Sequence, residues 1–256
     1  MRLRPCSASS TRIATGPSSR VGEPRGIVRS LVLPVALPMT ILLSACGGGG
    51  SDQADESDAD AAAALHEAQP LHVRDATLMS ESSENGTYSE LATVEYSEKV
   101  RASTQLDKPE CLDAANRWGS LEGVHEAPAS VAAYEWDQGS VTHMLVRVDE
   151  ETAAEALSTK PPESCDEYTA THEDGSSSHY GVRDLEDVPR VGDESRAYAI
   201  DVRTEGEESR MFSLMYRNGG LVGTTSILGA GELEDYEKML VEFSEAAVER
   251  QRQMLG

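Results

Sequence analysis

Five short segments of the chain alternate apolar and polar residues with a period of two, the pattern of half-buried β-strands. Polar or glycine-containing turns separate several of them, at Asp137–Ser140, Glu205–Glu208 and Asn218–Gly220. Strands that follow one another through short turns pair as antiparallel neighbours, so the pattern predicts a mostly antiparallel sheet. The five segments are residues 130–136, 141–148, 196–203, 209–216 and 221–228, and a further strand is predicted at 180–185.

The end of the chain has a helical pattern instead. From about Glu232 to Met254, apolar residues recur at intervals of three and four and form one stripe. We expect this helix to pack across one face of the sheet, although a helix that binds a partner would have the same pattern. A second, alanine-rich helix is predicted to start at Asp149 or Thr152 and to stop at Pro161. The fold class is therefore α+β, with one domain over residues 65–256.

Three other segments have mixed patterns. Residues 71–80 are predicted to form a short helix, and residues 87–105 an extended segment that contains Tyr88 and Val94. A further short helix is predicted from Pro109 to Trp118.

Residues 31–45 form an apolar run preceded by Arg25 and Arg29, which is the pattern of a secretory signal. A transmembrane helix is the alternative, but it needs about 20 apolar residues, and this run is shorter and contains two prolines. Residues 1–45 are therefore predicted to be a signal peptide. The segment before the apolar run is unusually long for a signal peptide, so we expect translation to start near Val28.

The run ends at Leu43-Ser44-Ala45-Cys46, which resembles the lipobox of bacterial lipoproteins. The resemblance implies cleavage after Ala45 and a lipid on Cys46, which would hold the protein on the extracytoplasmic face of the cell membrane. The alternative is a chance cysteine at the end of an ordinary signal. Residues 46–64 are glycine-rich and acidic with almost no large apolar residue, and are predicted to be a flexible linker.

The charge of the predicted mature chain excludes one class of partner. From Cys46 onward, 16 basic residues face 44 acidic ones, a net charge of −28. Such a chain repels nucleic-acid phosphates and anionic lipid head groups, so we expect no nucleic-acid partner and a domain that stands away from its membrane. Adaptation to high salt would produce the same acidity without a functional meaning.

The mature chain has two cysteines besides Cys46. In an oxidising compartment, Cys111 and Cys165 are predicted to form one disulfide. A metal pair or a catalytic thiol is the alternative, and neither has the accompanying residues that it would need.

No motif in the chain indicates catalysis or a cofactor, and no catalytic residue, metal ligand or cofactor is predicted. His172 and His179 flank a polar loop, but their spacing fits no common zinc pattern. His143 lies within a predicted strand, where we expect it to be half-buried.

The order of these features resembles the extracellular sensor-type domain of the PknH class of mycobacterial Ser/Thr kinases and related actinobacterial lipoproteins. The matching residues are Cys111, Cys165, the Gly192–Ser195 motif Gly-Asp-Glu-Ser, and Arg217 with the glycines that follow it. The resemblance implies a sheet with helices on one side, a cleft and a non-catalytic sensing role. This chain lacks the cysteines of the second disulfide in that kinase domain, and no ligand-binding residue can be carried over.

Two classes of function follow. The first is a lipid-anchored sensor-like module that binds a small molecule or signal. The second is a structural or adaptor lipoprotein that acts through an envelope protein. A large pocket would favour the first class, and a flat exposed apolar patch the second.

Overall fold

The computed structural model describes residues 52–114, 116–229 and 233–256. The predicted signal peptide of residues 1–45 and the predicted lipidation site Cys46 lie outside the described residues. No helix in the described ranges is both long and apolar enough to cross a membrane.

Eleven strands in these ranges form one sheet, and every pairing is antiparallel, which confirms the predicted sheet. The order across the sheet is β1-β2-β5-β6-β11-β10-β9-β8-β7-β4, and β3 pairs with β5 beside this path. The strands are β1 His72–Val73, β2 Ala76–Leu78, β3 Glu84–Thr87, β4 Gln105–Leu106, β5 Pro128–Trp136, β6 Gly139–Arg147, β7 Glu167–Thr171, β8 Ser177–Leu185, β9 Glu194–Thr204, β10 Glu207–Asn218 and β11 Leu221–Gly229.

Helices cover both faces of the sheet, whereas the family resemblance implied helices on one side only. Successive side chains of a strand point to opposite faces. Leu214 of β10 therefore packs with Phe243 of one helix, while its neighbour Met215 packs with Leu157 of another. The described helices are α1 Asp52–Glu67, α2 Ala92–Ser103, α3 Glu122–His125, α4 Glu150–Ser158 and α5 Leu233–Leu255.

The predicted C-terminal helix is confirmed as α5, and its apolar stripe is buried against the sheet. The buried residues of the stripe pack on β5, β10 and β11 through aromatic contacts. The rings of Tyr134 and Phe243 meet edge to face, 4.7 Å between centroids, and those of Trp136 and Tyr236 meet at 5.5 Å. The buried stripe consists of Tyr236, Met239, Leu240, Phe243, Ala247 and Val248.

Helix α4 covers the opposite face and begins where the sequence predicts. The Asp149 side chain accepts a hydrogen bond from the Thr152 backbone N–H at 2.8 Å, which caps the first turn. Ala153, Ala156 and Leu157 are buried against the sheet, and the helix ends before Pro161.

The predicted flexible linker is wrong for most of its length, because α1 begins at Asp52. Alanine has the highest helix propensity, and the run from Ala61 to Ala64 extends the helix toward the sheet. Leu65 is completely buried and packs with Leu145 of β6. A composition low in large apolar residues therefore did not prevent folding, because one leucine and small alanines suffice to dock this helix.

Three other predictions are also corrected. The predicted helix over residues 71–80 is instead the β1–β2 hairpin, which turns at Arg74 with a positive φ of 55°. The predicted extended segment over 87–105 is mostly helix α2, which follows a 3₁₀ turn at Tyr88–Glu90. The turn and the helix bury Tyr88 and Val94 in one cluster with Trp118, and this packing decides the local structure. The predicted helix from Pro109 to Trp118 is replaced by 3₁₀ turns at Pro109–Cys111 and Arg117–Ser120.

Candidate functional site

The predicted disulfide is present between Cys111 and Cys165, with 5.4 Å between the Cα atoms. Both cysteines are completely buried, in a small cluster with Ala114 beside the β7 and β8 edge of the sheet. The sulfur atoms are bonded to each other, which excludes the alternatives of a metal pair or a catalytic thiol.

The histidines of the polar loop have separate partners. His172 Nε2 lies 2.8 Å from Ser178 Oγ, and His179 Nδ1 lies 3.1 Å from Thr169 Oγ1. In the part of the chain that the structure describes, no three His, Cys, Asp or Glu side chains are grouped to hold a metal ion.

The motif residues that carry the family resemblance hold two turns together. The Asp193 carboxylate accepts the Gly219 backbone N–H at 2.7 Å, and the Asp193 backbone N–H donates to Arg217 O at 2.9 Å. Glu194 accepts a hydrogen bond from Arg217 Nε at 3.1 Å. Ser195 Oγ accepts the Val191 backbone N–H at 2.9 Å. These contacts lie within the chain itself, so the motif has a structural role.

His143 is completely buried rather than half-buried as predicted. It belongs to a chain of hydrogen bonds between Gln69, in the turn after α1, and Gln251 of α5. Gln69 Nε2 donates to Ser130 O at 3.3 Å, so its Oε1 is the acceptor for His143 Nδ1. The Nε2 of His143 is then unprotonated and accepts the Tyr216 hydroxyl at 2.9 Å. Gln251 Nε2 donates to the same hydroxyl at 2.6 Å.

Burial keeps this chain of side chains uncharged. It lowers the pKa of His143 to about 3, because the protein interior disfavours the imidazolium. Burial also raises the pKa of Tyr216, because it disfavours the phenolate. Since these rings are inaccessible to solvent, they cannot contact a substrate, and the network serves to join the helices to the sheet.

A groove of about 860 Å³ lies over strands β7 to β10. Its side chains follow from the strand register, which aligns Gly181, Asp201 and Arg210 in one row across the sheet. The next row aligns Thr169, His179, Arg203 and Glu208. Both rows lie on the α5 face, because strand alternation places Arg210 on the same side as Phe212.

Charged pairs cross the strands within the groove. Arg203 donates from Nε and Nη2 to Glu208 Oε1, at 2.8 and 2.6 Å. Arg210 Nε donates to Asp201 Oδ1, and Arg183 Nε lies 3.6 Å from the other oxygen of the same carboxylate. These ion pairs stay open to water, since Arg203 is 63 % and Arg210 46 % exposed.

The floor of the groove is open at Gly181. A Cβ built there would have Asp201 Cβ as its nearest neighbour, 4.0 Å away, so no side chain fills this place. At the outer edge, Lys108 Nζ donates to the carbonyls of Ser164 and Glu167, and Asp107 pairs with the backbone of Thr169. The outer side of β7 is thereby covered by residues 107–108 beside the short edge strand β4, which limits pairing with another chain.

Sequence reasoning predicted none of the groove residues. The sequence predicted a turn over Glu205–Glu208, but the turn consists of Glu205 and Gly206 alone, both with positive φ, 53° and 90°, and Glu208 belongs to β10. A two-residue turn of this type fixes the register of β9 and β10 and thereby pairs Arg203 with Glu208 and Asp201 with Arg210.

The comparisons with known proteins give structural similarity only. No protein-family model matches the chain, and no curated protein matches it significantly. The extracellular domain of PknH from Mycobacterium tuberculosis is similar at a TM-score of 0.42 and 12 % identity, over 57 % of this chain and 78 % of that one. A putative uncharacterized protein from Mycobacterium smegmatis is similar at a TM-score of 0.48 and 14 % identity, over 76 % of this chain and 98 % of that one. The PknH extracellular domain is thus among the solved structures that the chain resembles, as the sequence motifs predicted.

Proposed function

We propose that the chain is a lipid-anchored, extracytoplasmic binding module, held at the membrane through Cys46, that binds a small charged ligand in the groove. The observation that carries this proposal is the convergence of Arg203, Arg210, Asp201 and Glu208 beside the open floor at Gly181. The volume of the groove, about 860 Å³, is in the range of small-molecule sites.

The anchor and the disulfide support the location. Disulfides persist in oxidising compartments, and Cys111 and Cys165 are paired. The Leu-Ser-Ala-Cys segment that ends at Cys46 resembles a lipobox, and α1 starts six residues after that cysteine.

We propose binding without catalysis. The Thr169 hydroxyl and His179 Nδ1 are 3.1 Å apart, the distance of a nucleophile and its base. Within the described residues, however, no carboxylate is hydrogen-bonded to the other ring nitrogen of His179, so nothing orients the ring as a base. The pair fits a cross-strand hydrogen bond on the groove wall.

The test is calorimetric titration of the full-length protein in lipid nanodiscs with a defined panel of amino acids, dipeptides, sugars, polyols, carboxylates and phosphate. We expect at least one compound to bind the wild type and to lose binding in Gly181→Trp, whose side chain would fill the groove. Gly181→Ala is the matched control, because a methyl group has room there. Retained binding in Gly181→Trp, with unchanged circular dichroism, would show that the groove is not the site.

A second candidate function is an adaptor role through an envelope protein. The observation that favours it is Tyr96 on α2, which is 70 % exposed, with Val100 one turn away and 39 % exposed. A photo-crosslinker in place of Tyr96, compared in cells with one at the exposed Arg252 of α5, tests this role. A single defined adduct specific to position 96 would support the adaptor function, and identical adduct patterns at both positions would exclude it.

A further inference from the structure

Two arginines in the groove have donors to spare. Arg210 donates from Nε to Asp201, and neither of its terminal nitrogens has a partner among the described residues. Arg203 uses Nε and Nη2 on Glu208, which leaves its Nη1 without a described partner. The structure therefore presents three unused guanidinium nitrogens on the groove side of β9 and β10.

These donors are close enough to act together. Arg203 and Arg210 are diagonal neighbours on one face, because Arg203 pairs with Glu208 and Arg210 with Asp201. Diagonal cross-strand positions are about 7–8 Å apart, within reach of side chains as long as arginine. Guanidinium groups bind carboxylate and phosphate oxygens through paired hydrogen bonds, which a lysine cannot reproduce.

Binding to a ligand does not require breaking a strong contact. Both arginines are held in exposed ion pairs, and exposed ion pairs contribute little to stability. Asp201 also keeps Arg183 as a neighbour if Arg210 turns toward a ligand.

The rest of the groove selects against additional negative charge. Glu167 is aligned with Gly181 on the same face, and Asp107 lines the same outer edge. These two carboxylates outnumber the one ammonium group there, that of Lys108. A ligand that places one anionic end at the arginines would extend over Gly181 toward these carboxylates. Its remaining part is therefore favoured when it is neutral or cationic.

Resting on the proposed function, we infer that the groove ligand presents an oxyanion, a carboxylate or a phosphate group, to Arg203 and Arg210, and carries a neutral or cationic remainder over Gly181. A zwitterion such as a short peptide has this arrangement of charges, and a phosphate ester supplies the same oxyanion chemistry from another source.

The test uses three probes with the full-length protein in nanodiscs. They are the dipeptide alanyl-alanine, its C-terminal amide, which lacks the carboxylate, and inorganic phosphate. We expect the dipeptide to bind and the amide to bind at least about tenfold more weakly, which is the effect of losing one charge-assisted hydrogen-bonded pair. If phosphate binds and the dipeptide does not, the oxyanion inference stands and the ligand is a phosphate compound rather than a carboxylate.

Variants connect the effect to the arginines. Arg210→Gln should weaken binding by about tenfold or more. The affinity of Arg210→Lys should lie between those of the wild type and Arg210→Gln, because lysine keeps the charge but loses the paired donors. Arg252→Gln removes the same charge from an exposed position on α5 and should leave binding unchanged.

Two results would overturn the inference. One is equal affinity for the dipeptide and its amide or an unchanged affinity in Arg210→Gln, and the other is no binding of either the dipeptide or phosphate. In both cases the proposed function is judged separately, by whether Gly181→Trp abolishes the binding of any compound in the wider panel. Failure of that variant to affect any binding would refute the groove as a site, and the oxyanion inference with it.

Discussion

The Asp193 carboxylate holds the backbone N–H of Gly219 at 2.7 Å, and the two residues belong to turns 26 positions apart in the chain. The turn before β9 is thereby fastened to the turn between β10 and β11. Arg217 strengthens the junction, because its carbonyl accepts the Asp193 N–H while its guanidinium binds Glu194. The residues that resemble the sensor-domain motif thus fix the order of three central strands.

This junction depends on the backbone of Gly192. Its φ is +65°, and a Cβ there would lie 2.3 Å from Arg217 O, the atom that accepts the Asp193 N–H. Gly219 has a similar φ of +59° but no atom within 4 Å of a built Cβ.

The two glycines therefore give a matched pair of variants. Gly219→Ala should cost about 1 kcal/mol of unfolding free energy through backbone strain alone. Gly192→Ala should cost about 1–3 kcal/mol more, because the crowded backbone must also shift. Urea denaturation of both variants measures the difference, and equal losses would contradict the role of the close approach.

The central strands could be predicted from the sequence because their pattern is local. The larger side chains Tyr198, Ile200 and Val202 recur at every second position, and the glycine turns lie between such runs. The C-terminal helix could also be predicted, since its apolar residues recur at intervals of three and four from Tyr236 to Val248.

The N-terminal part could not be predicted because tertiary packing decides it. Tyr88 and Val94 have high strand propensity, yet a 3₁₀ turn at Tyr88–Glu90 followed by helix α2 buries both of them with Trp118. Helix α1 has a weak local signal and becomes ordered by docking of Leu65 against Leu145. In both cases the deciding partner is distant in the sequence.

The candidate groove depends on register, which composition does not contain. Arg203 and Arg210 are only two of many charged residues, and in an acidic chain each looks like a solvated surface charge. A one-residue shift between β9 and β10 would move them to opposite faces. The positive φ values at Glu205 and Gly206 set that register, and no periodicity in the sequence indicates them.

The disulfide is expected to stabilise the outer edge of the sheet. Cys111 and Cys165 close a segment of 54 residues that contains the β5–β6 hairpin and α4. Reduction should lower the unfolding free energy by about 2–4 kcal/mol, because the reduced unfolded chain gains conformational freedom. The β9–β10 and β10–β11 pairings should persist, since short turns join these strands, whereas β11 also pairs with β6 inside the closed segment.

Thermal melting with and without reductant, combined with thiol counting in denaturant, measures this effect. The variant Cys111→Ser/Cys165→Ser is the control and should be insensitive to reductant. A melting temperature that reduction does not change would refute the stabilising role.

Membrane attachment is expected to depend on one cysteine. Cys46→Ala should release the protein from membranes or leave an unprocessed precursor, because a thioether-linked lipid requires the thiol of Cys46. Cell fractionation and intact-protein mass spectrometry are the measurements, and Gly49→Ala, which leaves the Cys46 thiol in place, is the matched control. Unchanged membrane attachment in Cys46→Ala without a lipid mass on the wild type would exclude the anchor.

Stability should fall in acid because of His143. Burial lowers its pKa in the folded protein to about 3, whereas its ordinary value is 6.5. Between these two values the unfolded chain binds a proton at this ring and the folded protein does not. Unfolding therefore takes up a proton, and the stability contribution of the neutral ring, complete above pH 6.5, is lost as the pH falls below it.

Within that window the loss should approach about 1.4 kcal/mol per pH unit from this one residue. His143→Gln removes the titrating ring while keeping an amide that can accept from Tyr216 and donate to Gln69. The unfolding free energy of this variant should vary less steeply with pH than that of the wild type, whatever its absolute value. His72→Gln, at an exposed position of β1, should keep the wild-type slope. Parallel pH curves for the wild type and His143→Gln would mean that the ring is already protonated in the folded protein, which the donor order from Gln251 through Tyr216 to His143 forbids.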